Sequence, residues 1–320
     1  MDWIMKSIDD IKTAGFKNYN LITFSWYVTD YCNYRCTYCA EACRLSNTKT
    51  QCAQEIAAHK MVLKRICNRN VGDFSVELIG GEPTMAAHLP SILNELDLTS
   101  NCKYYELITN LSKPIKYFED IVTNRHKKFH LKPSFHPEYY KEHFIQKILE
   151  LSELCNLRPT IMLHDNPIHF QKTINILDTI IENNIEYDLQ TIYKTKNYSP
   201  DYGEEFNKIF GKYIKHYAKA SREYNIDFYH NDITSDVPYS TSNTDFNVNV
   251  NDIKQRNLHQ FNGFKCKALY WEIEPSGRIY NSCTREDLQY NYNNIRKTVT
   301  CPVVDGCVEK HKLFYHKTNE

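Results

Sequence analysis

Between residues 21 and about 193 the chain alternates between two hydrophobic rhythms. Short apolar runs rich in β-branched and aromatic residues have the length and composition of strands: "LITFSWYVT" (21–29), "FSVELIG" (74–80), "KYYELITN" (103–110), "KFHLKPSF" (128–135), "PTIMLHD" (159–165) and "YDLQTIY" (187–193). Between them apolar residues recur at three- and four-residue spacing, which places them on one stripe of a helix. Examples are Leu89, Ile92, Leu93 and Leu96, then Phe144, Ile145, Ile148 and Leu149, then Ile174, Leu177, Ile180 and Ile181. A helix ahead of the second strand reads Ile56, Leu63, Ile66, with Cys67 ending its apolar side as a small hydrophobe. Strand and helix alternating in this way predict a parallel sheet, either a barrel or a doubly wound layer. A further helix is expected over 204–222, with Phe206, Ile209, Phe210, Tyr213, Ile214 and Tyr217 forming a core stripe.

After that helix the pattern changes. The stretch 231–252 is crowded with Asn, Asp, Ser and Thr, has no helical period, and reads as a long connection or lid. "ALYWEIEPSGRIYNSC" (268–283) predicts a β-hairpin, two strand runs around a turn supplied by Gly277. The expected organisation is therefore an α/β unit at 1–225, a connecting segment or lid at 226–262, and a small hairpin-containing module at 263–320.

Composition narrows the function. A length of 320 residues accommodates one large α/β domain with a small appendage, and 42% hydrophobic with 24% charged residues is ordinary for a soluble protein. The formal net charge is zero, which gives no electrostatic footprint for nucleic acid or anionic lipid. The densest basic stretch, "NRHKKFHLK" (124–132), reads as the edge of a strand. No apolar run approaches membrane-spanning length and the N-terminus lacks an apolar signal core, so a cytoplasmic protein is expected. Twelve cysteines is a high count for such a chain, and in a reducing compartment they serve as metal ligands, catalytic groups or packing. Cys32, Cys36, Cys39 and Cys43 form one cluster, and Cys266, Cys283, Cys301 and Cys307 a sparser one. Cys52, Cys67, Cys102 and Cys155 are scattered singly and read as packing or surface thiols.

In the first cluster the spacing is Cys-x3-Cys-x2-Cys, just after the first predicted strand. Three thiolates can hold three irons of a cubane and leave a fourth iron open, whereas structural zinc takes four closed ligands. Cys43, one helical turn past Cys39, is a possible fourth; no histidine occurs between residues 1 and 58, which argues against a local zinc site of three cysteines and a histidine. A second feature, "LIGGEPT" (78–84), ends the second predicted strand, where two glycines let the backbone approach a ligand closely. Taken singly, the first could be a zinc clip and the second a tight turn.

Together, and in this order on consecutive βα units, "CNYRCTYC" and Gly80-Gly81-Glu82-Pro83 resemble the signature of the radical S-adenosylmethionine (radical SAM) superfamily. The resemblance implies a partial (β/α)6 TIM-like barrel with its site at the C-terminal ends of the strands, where barrel enzymes place their chemistry. It implies that Cys32, Cys36 and Cys39 ligate a [4Fe–4S] cluster whose open iron chelates the amino and carboxylate groups of S-adenosylmethionine. Tyr38 would lie by the adenine, and Gly80, Gly81 and Glu82 would hold the methionine end. Asn110, closing the third strand, would stand near the cofactor; Ser134 would reach its ribose or carboxylate; and His136 would face the substrate or remain a loop residue. Closure of the site by Cys43 would exclude the cofactor, so Cys43 is assigned to helix packing. The implied chemistry is reductive cleavage of S-adenosylmethionine to a 5′-deoxyadenosyl radical, which abstracts hydrogen from a substrate. Its electron would come from a donor such as flavodoxin or ferredoxin.

"CKALYWEIEPSGRIYNSC" followed by "CPVVDGC" resembles the auxiliary-cluster modules called SPASM and Twitch. That resemblance implies a second [4Fe–4S] cluster on Cys266, Cys283, Cys301 and Cys307, four ligands matching the shorter Twitch form. The final Cys-x5-Cys departs from the commoner close pairs, and the same thiolates would also serve a zinc knuckle. Relatives of this kind modify ribosomal peptides or oxidise small molecules such as sugar derivatives. About twenty residues precede the first strand, which is short for a leader-recognition domain and favours a small substrate or a leader read by another protein. The expected activity is that of a radical SAM oxidoreductase or peptide-modifying enzyme, with a peptide or a sugar-like metabolite as substrate. An RNA-modifying enzyme fits the neutral charge poorly. A methylthio-transferring enzyme would need a further cluster or binding domain that is not evident. An electron carrier or zinc-stabilised binding module would leave the Gly-Gly-Glu-Pro segment unexplained.

Overall fold

The computed structural model describes residues 21–39, 49–123, 125, 128–141, 143–192, 236–240, 245–249, 265–267, 269–282, 284–288, 295, 298–300 and 317–318. Strands and helices alternate from the start of that range: β1 (Ile22–Tyr27), α1 (Lys49–Ile66), β2 (Phe74–Ile79), α2 (Leu89–Leu98), β3 (Cys102–Thr109), α3 (Ile115–Val122), β4 (Phe129–Phe135) and α4 (His143–Ser152). They continue with β5 (Asn156–Leu157), β6 (Thr160–Leu163), α5 (Pro167–Glu182) and β7 (Asp188–Thr191). The six runs read as strands are all present and lie parallel in the order β1-β2-β3-β4-β6-β7, with the short β5 beside β4. Because neighbours in space follow chain order without reversal, the winding is that of a partial barrel and not of a doubly wound layer.

Alternation along the strands divides the two faces. Phe24 and Trp26, Val76 and Leu78, Tyr105 and Leu107, Leu131 and Phe135, and Ile161 and Leu163 belong to one continuous core shared with the helices. The expected helical stripes supply the other half of it; Leu89, Ile92, Leu93 and Leu96 of α2 are fully buried. In α1 Leu63 and Ile66 are buried and Cys67 packs against the core, but Ile56 is exposed, because the buried face runs through Glu55, Ala58, His59 and Val62 instead. The opposite face of the sheet carries charge. Lys132 of β4 pairs with Asp188 of β7 at 3.3 Å, Arg158 pairs with the same carboxylate at 2.7 Å, and Tyr270 donates to Glu77 of β2 at 2.6 Å. The carboxylates of Glu106 and Asp188 hold the Lys132 ammonium above its ordinary range against the cost of its burial.

The predicted hairpin is β11 (Tyr270–Ile273) and β12 (Ile279–Asn281), antiparallel, turned through Gly277 at φ 82. It does not stand apart: β11 pairs in parallel with β1 and extends the barrel sheet at its open edge. Trp271 and Ile273 enter the same core. A pairing between segments this far apart in sequence leaves no local signal, which is why periodicity gave the hairpin without its place. The stretch read as a connection contains a second hairpin, β8 (Asp236–Ser240) with β9 (Asp245–Asn249). Its alternating apolar positions were hidden among polar neighbours. β10 (Lys265–Lys267) is the middle strand of a small antiparallel sheet with β13 (Thr298–Thr300) and β14 (Lys317–Thr318). The helix expected at 204–222 and the boundaries at 225 and 262 lie outside the described residues. Among the described residues no helix is long and apolar enough to cross a membrane.

A buried polar tie fastens the end of α2 to the sheet. Asp97 receives the Tyr105 hydroxyl at 2.5 Å and the Arg125 guanidinium at 2.6 Å, with both charged side chains about nine-tenths covered. Asp97→Ala strands a buried cation and should lower the unfolding free energy by about 3 kcal/mol in chemical denaturation. A loss below about 1 kcal/mol would show that the pair is solvated and carries no such weight.

Candidate functional site

The pairing of β1 with β2 does not stop at the strand ends. Val28 donates its N–H to Ile79 O at 2.8 Å, Gly81 to Thr29 O at 2.7 Å, and Glu82 to Tyr31 O at 2.7 Å. Backbone approaches backbone so closely that a Cβ on Gly81 would lie 2.2 Å from Tyr31 O, and one on Gly80 (φ +142) 2.4 Å from Thr29 O. The two glycines thus first of all let the segment leading into Cys32 touch the end of β2. From the other side, the Thr29 hydroxyl donates to the Glu55 carboxylate of α1 at 3.2 Å and accepts from the Tyr31 N–H at 3.2 Å.

Glu82 joins this clamp to β3. Its carboxylate is buried and accepts four hydrogen bonds, from the Thr84 N–H (3.0 Å), the Thr84 hydroxyl (2.5 Å), the Thr109 hydroxyl (2.7 Å) and the Asn110 N–H (2.7 Å). Burial pushes its pKa up and these donors oppose the shift. The side chain is spent inside the protein, and the Glu82 carbonyl accepts the Met85 N–H at 3.0 Å.

Above the clamp, at the C-terminal ends of the parallel strands, lies a cavity of about 320 Å³. Cys32, Cys36, Cys39, Tyr38, Gly80, Gly81, Glu82, Asn110, Ser134 and His136 all line it. The structure thus brings together around one space every residue that the sequence assigned to the first cluster and its cofactor. Met162, Gln190 and Ile192 from the far strands complete the wall.

The cysteine loop is held by the ends of other strands. Asn110, after β3, donates its side-chain amide to Asn33 Oδ1 at 2.9 Å. After β4, Tyr139 accepts the Arg35 N–H at 2.7 Å and stacks on Tyr34 with centroids 4.3 Å apart. Glu138 accepts the Thr37 N–H at 2.8 Å and bonds its hydroxyl, and His164 after β6 reaches the same carboxylate at 3.3 Å. His136 Nδ1 lies 3.0 Å from the Tyr38 hydroxyl and 3.6 Å from Cys36 Sγ. Burial brings the His136 pKa down to about 4, so the imidazole is neutral, and burial raises that of the Tyr38 hydroxyl beside it.

These thiols fit a metal cluster chemically. Cys32, Cys36 and Cys39 are not in disulfides, and burial pushes the Cys36 thiol up to about 12. A thiolate in such a place needs a cation against it. Among the described residues no group of three or more His, Cys, Asp or Glu side chains closes around a single ion. A cubane seats each cysteine on its own iron and does not require that convergence. Of the other cysteines, Cys102 is buried and Cys67 and Cys155 pack against the core. Cys266 lies on β10, while Cys43, Cys283, Cys301 and Cys307 fall outside the described residues.

Glu138, Tyr139, His164 and Asn33 were missed at the sequence level. The signal available was position: "HPEYY" and "LHD" follow barrel strands directly, where polar side chains meet the site.

The fold is a partial barrel with its cavity at the C-terminal strand ends. Among solved structures, Streptococcus suis SuiB bound to S-adenosylmethionine superposes with a TM-score of 0.57 at 16% identity, over 87% of this chain and 66% of that one. SuiB bound to its precursor peptide SuiA gives a TM-score of 0.56 at 16% identity, over 87% of this chain and 65% of that one. The chain thus spans slightly less than two thirds of SuiB, and at this identity the likeness is one of fold. A weaker likeness, TM-score 0.46 at 15% identity over 81% of this chain and 73% of that one, is to native anSMEcpe with bound AdoMet. No protein-family model and no curated protein matches the sequence.

Gly81→Ala should force the Tyr31 carbonyl away and break the clamp. Hydrogen exchange at the Gly81 and Glu82 amides should then rise at least tenfold while the amides of β3 and β4 stay protected. Unchanged protection at Gly81 and Glu82 would mean that the glycines are not needed for the contact.

Proposed function

We propose that this chain is a radical SAM enzyme whose cluster sits on Cys32, Cys36 and Cys39. The observation that supports this best is the convergence of those thiols and the Gly80–Glu82 segment on one cavity at the C-terminal strand ends. Cys32, Cys36 and Cys39 would hold a [4Fe–4S] cluster, which when reduced would supply the one electron for cleaving S-adenosylmethionine to a hydrogen-abstracting 5′-deoxyadenosyl radical.

The protein's own residues bind, orient and exclude water. The carbonyls of Gly80 and Gly81 are the acceptors for the cofactor's ammonium group, and Ser134 is the hydroxyl for its ribose or carboxylate. Tyr38, buried beside Met162 and Ile192, offers an apolar face for the adenine and turns its hydroxyl to His136. Glu138 and Tyr139 are positioning residues, fixing the loop between the cysteines through Thr37 and Arg35. The apolar strip of Ile79, Ile108 and Met162 keeps water from the reacting carbon.

The substrate we favour is a peptide, with a sugar-like metabolite as the second reading. The peptide reading draws on the shared fold of SuiB, which has been seen with its precursor peptide. We further propose an auxiliary [4Fe–4S] cluster on Cys266, Cys283, Cys301 and Cys307, able to take an electron from the substrate radical. Flavodoxin or ferredoxin would reduce the first cluster.

Protein reconstituted without oxygen should hold about eight irons, and Cys36→Ala about four. With dithionite and S-adenosylmethionine the native chain should form 5′-deoxyadenosine and Cys36→Ala none. Product from Cys36→Ala would refute the site, and about four irons in the native chain, accompanied by zinc, would replace the auxiliary cluster with a staple.

A further inference from the structure

A second cavity of about 120 Å³ adjoins the first and shares Tyr34, Asn110, Ser134 and His136 with it. It lies between the segment after β3 and the segment after β4, with Phe144 and Lys147 of α4 behind it. At about 30 Å³ of liquid volume per water, it has room for a small polar group with a few carbons.

Its lining carries cationic side chains and no carboxylate among the described residues. Lys147 Nζ donates to Leu111 O at 2.8 Å and to Lys113 O at 2.5 Å. An ammonium has three protons, and no acceptor among the described residues takes the third. The Ser112 hydroxyl is buried and has no hydrogen-bond partner among the described residues. Lys141 and His143 stand exposed at the rim, and no Asp or Glu among the described residues lines the cavity. Burial, and then the neighbouring Lys141, depress the Lys147 pKa, the mark of a cation lacking an anion. Leu111 holds this arrangement in a left-handed backbone, φ 52, at a buried position where a non-glycine residue normally avoids it.

The remaining walls choose among anions. Phe135, Phe144 and Leu111 are buried apolar surface and suit the carbons of an alkyl carboxylate. A phosphate dianion needs donors around its whole surface, which this apolar share of the wall does not provide.

We propose that this cavity binds a carboxylate group of the substrate and holds it beside the cofactor cavity. The proposal rests on the functional reading above, under which the cofactor's own carboxylate is engaged at the cluster. The substrate class it selects is one bearing a carboxylate on a short alkyl arm, anchored by Lys147 with Ser112 and Lys141.

Acetate is the probe. With the reconstituted full chain, the resonance of carboxyl-labelled ¹³C acetate should broaden and be restored by excess unlabelled acetate. In Lys147→Met and in Lys141→Met the affinity should fall at least fivefold, while Lys116→Met, on the exposed face of α3, should match the native chain. Because Lys147 also ties two loop carbonyls, Lys141→Met at the rim carries the test should Lys147→Met unfold. S-adenosylmethionine binding, read by calorimetry, should be the same in native and Lys141→Met protein and should not displace acetate. Absence of acetate broadening in a protein that binds S-adenosylmethionine would overturn the inference and leave the functional reading standing. Displacement of acetate by S-adenosylmethionine would assign the cavity to the cofactor, and tighter binding of inorganic phosphate would assign it to a phosphate; either result overturns the proposal.

Discussion

The site depends on a backbone contact. Two hydrogen bonds, Gly81 N–H to Thr29 O and Glu82 N–H to Tyr31 O, carry the β1–β2 pairing past the strand ends and set the direction in which the chain leaves for Cys32. They exist because Gly80 and Gly81 have no side chains to hold the segments apart. Any larger residue would separate the two motifs that have to meet. Glu82 then makes the contact three-stranded by receiving Thr109 and Asn110 at the end of β3. Its buried carboxylate satisfies donors that would otherwise each cost about 1–3 kcal/mol.

From that anchor the loop is tied outward, strand by strand: Asn110 to Asn33, Tyr139 to Arg35, Glu138 to Thr37, and His164 behind Glu138. These ties come from the ends of three strands, β3, β4 and β6, so the three cysteines are placed by the barrel as well as by their own short loop. The electrostatic setting agrees with this arrangement. His136, held neutral by burial, and the protonated Tyr38 lie beside the Cys36 thiol, which burial keeps from ionising alone, a setting suited to receiving a cationic cluster core. The neighbouring carboxylate cavity follows the same logic, with Lys147 held in place by the carbonyls of the loop that follows Asn110.

Much of this was legible in the chain because it is local. Strand length, helical stripes such as Leu89 to Leu96, and the two short motifs each occupy a few consecutive residues, and each reappears where the pattern put it. What was not legible is long-range. Nothing in "YWEI" says that β11 joins β1, and nothing in "HPEYY" says that Glu138 reaches Thr37 a hundred residues earlier. The glycines illustrate the boundary well: the sequence announced a close approach, but not that the partner was the backbone of Thr29 and Tyr31. The exposed Ile56 shows the converse, an apolar residue at helical spacing that the sheet does not reach.

The central claim is that Cys32, Cys36 and Cys39 hold a cluster with one iron left open to S-adenosylmethionine, steered there by the Gly80–Glu82 clamp. Electron paramagnetic resonance of the dithionite-reduced Cys266→Ala, Cys283→Ala double variant, which removes two ligands of the proposed auxiliary cluster, tests it most directly. Adding S-adenosylmethionine should change the g values of the reduced cluster signal. A cluster signal that S-adenosylmethionine leaves unaltered would contradict the account.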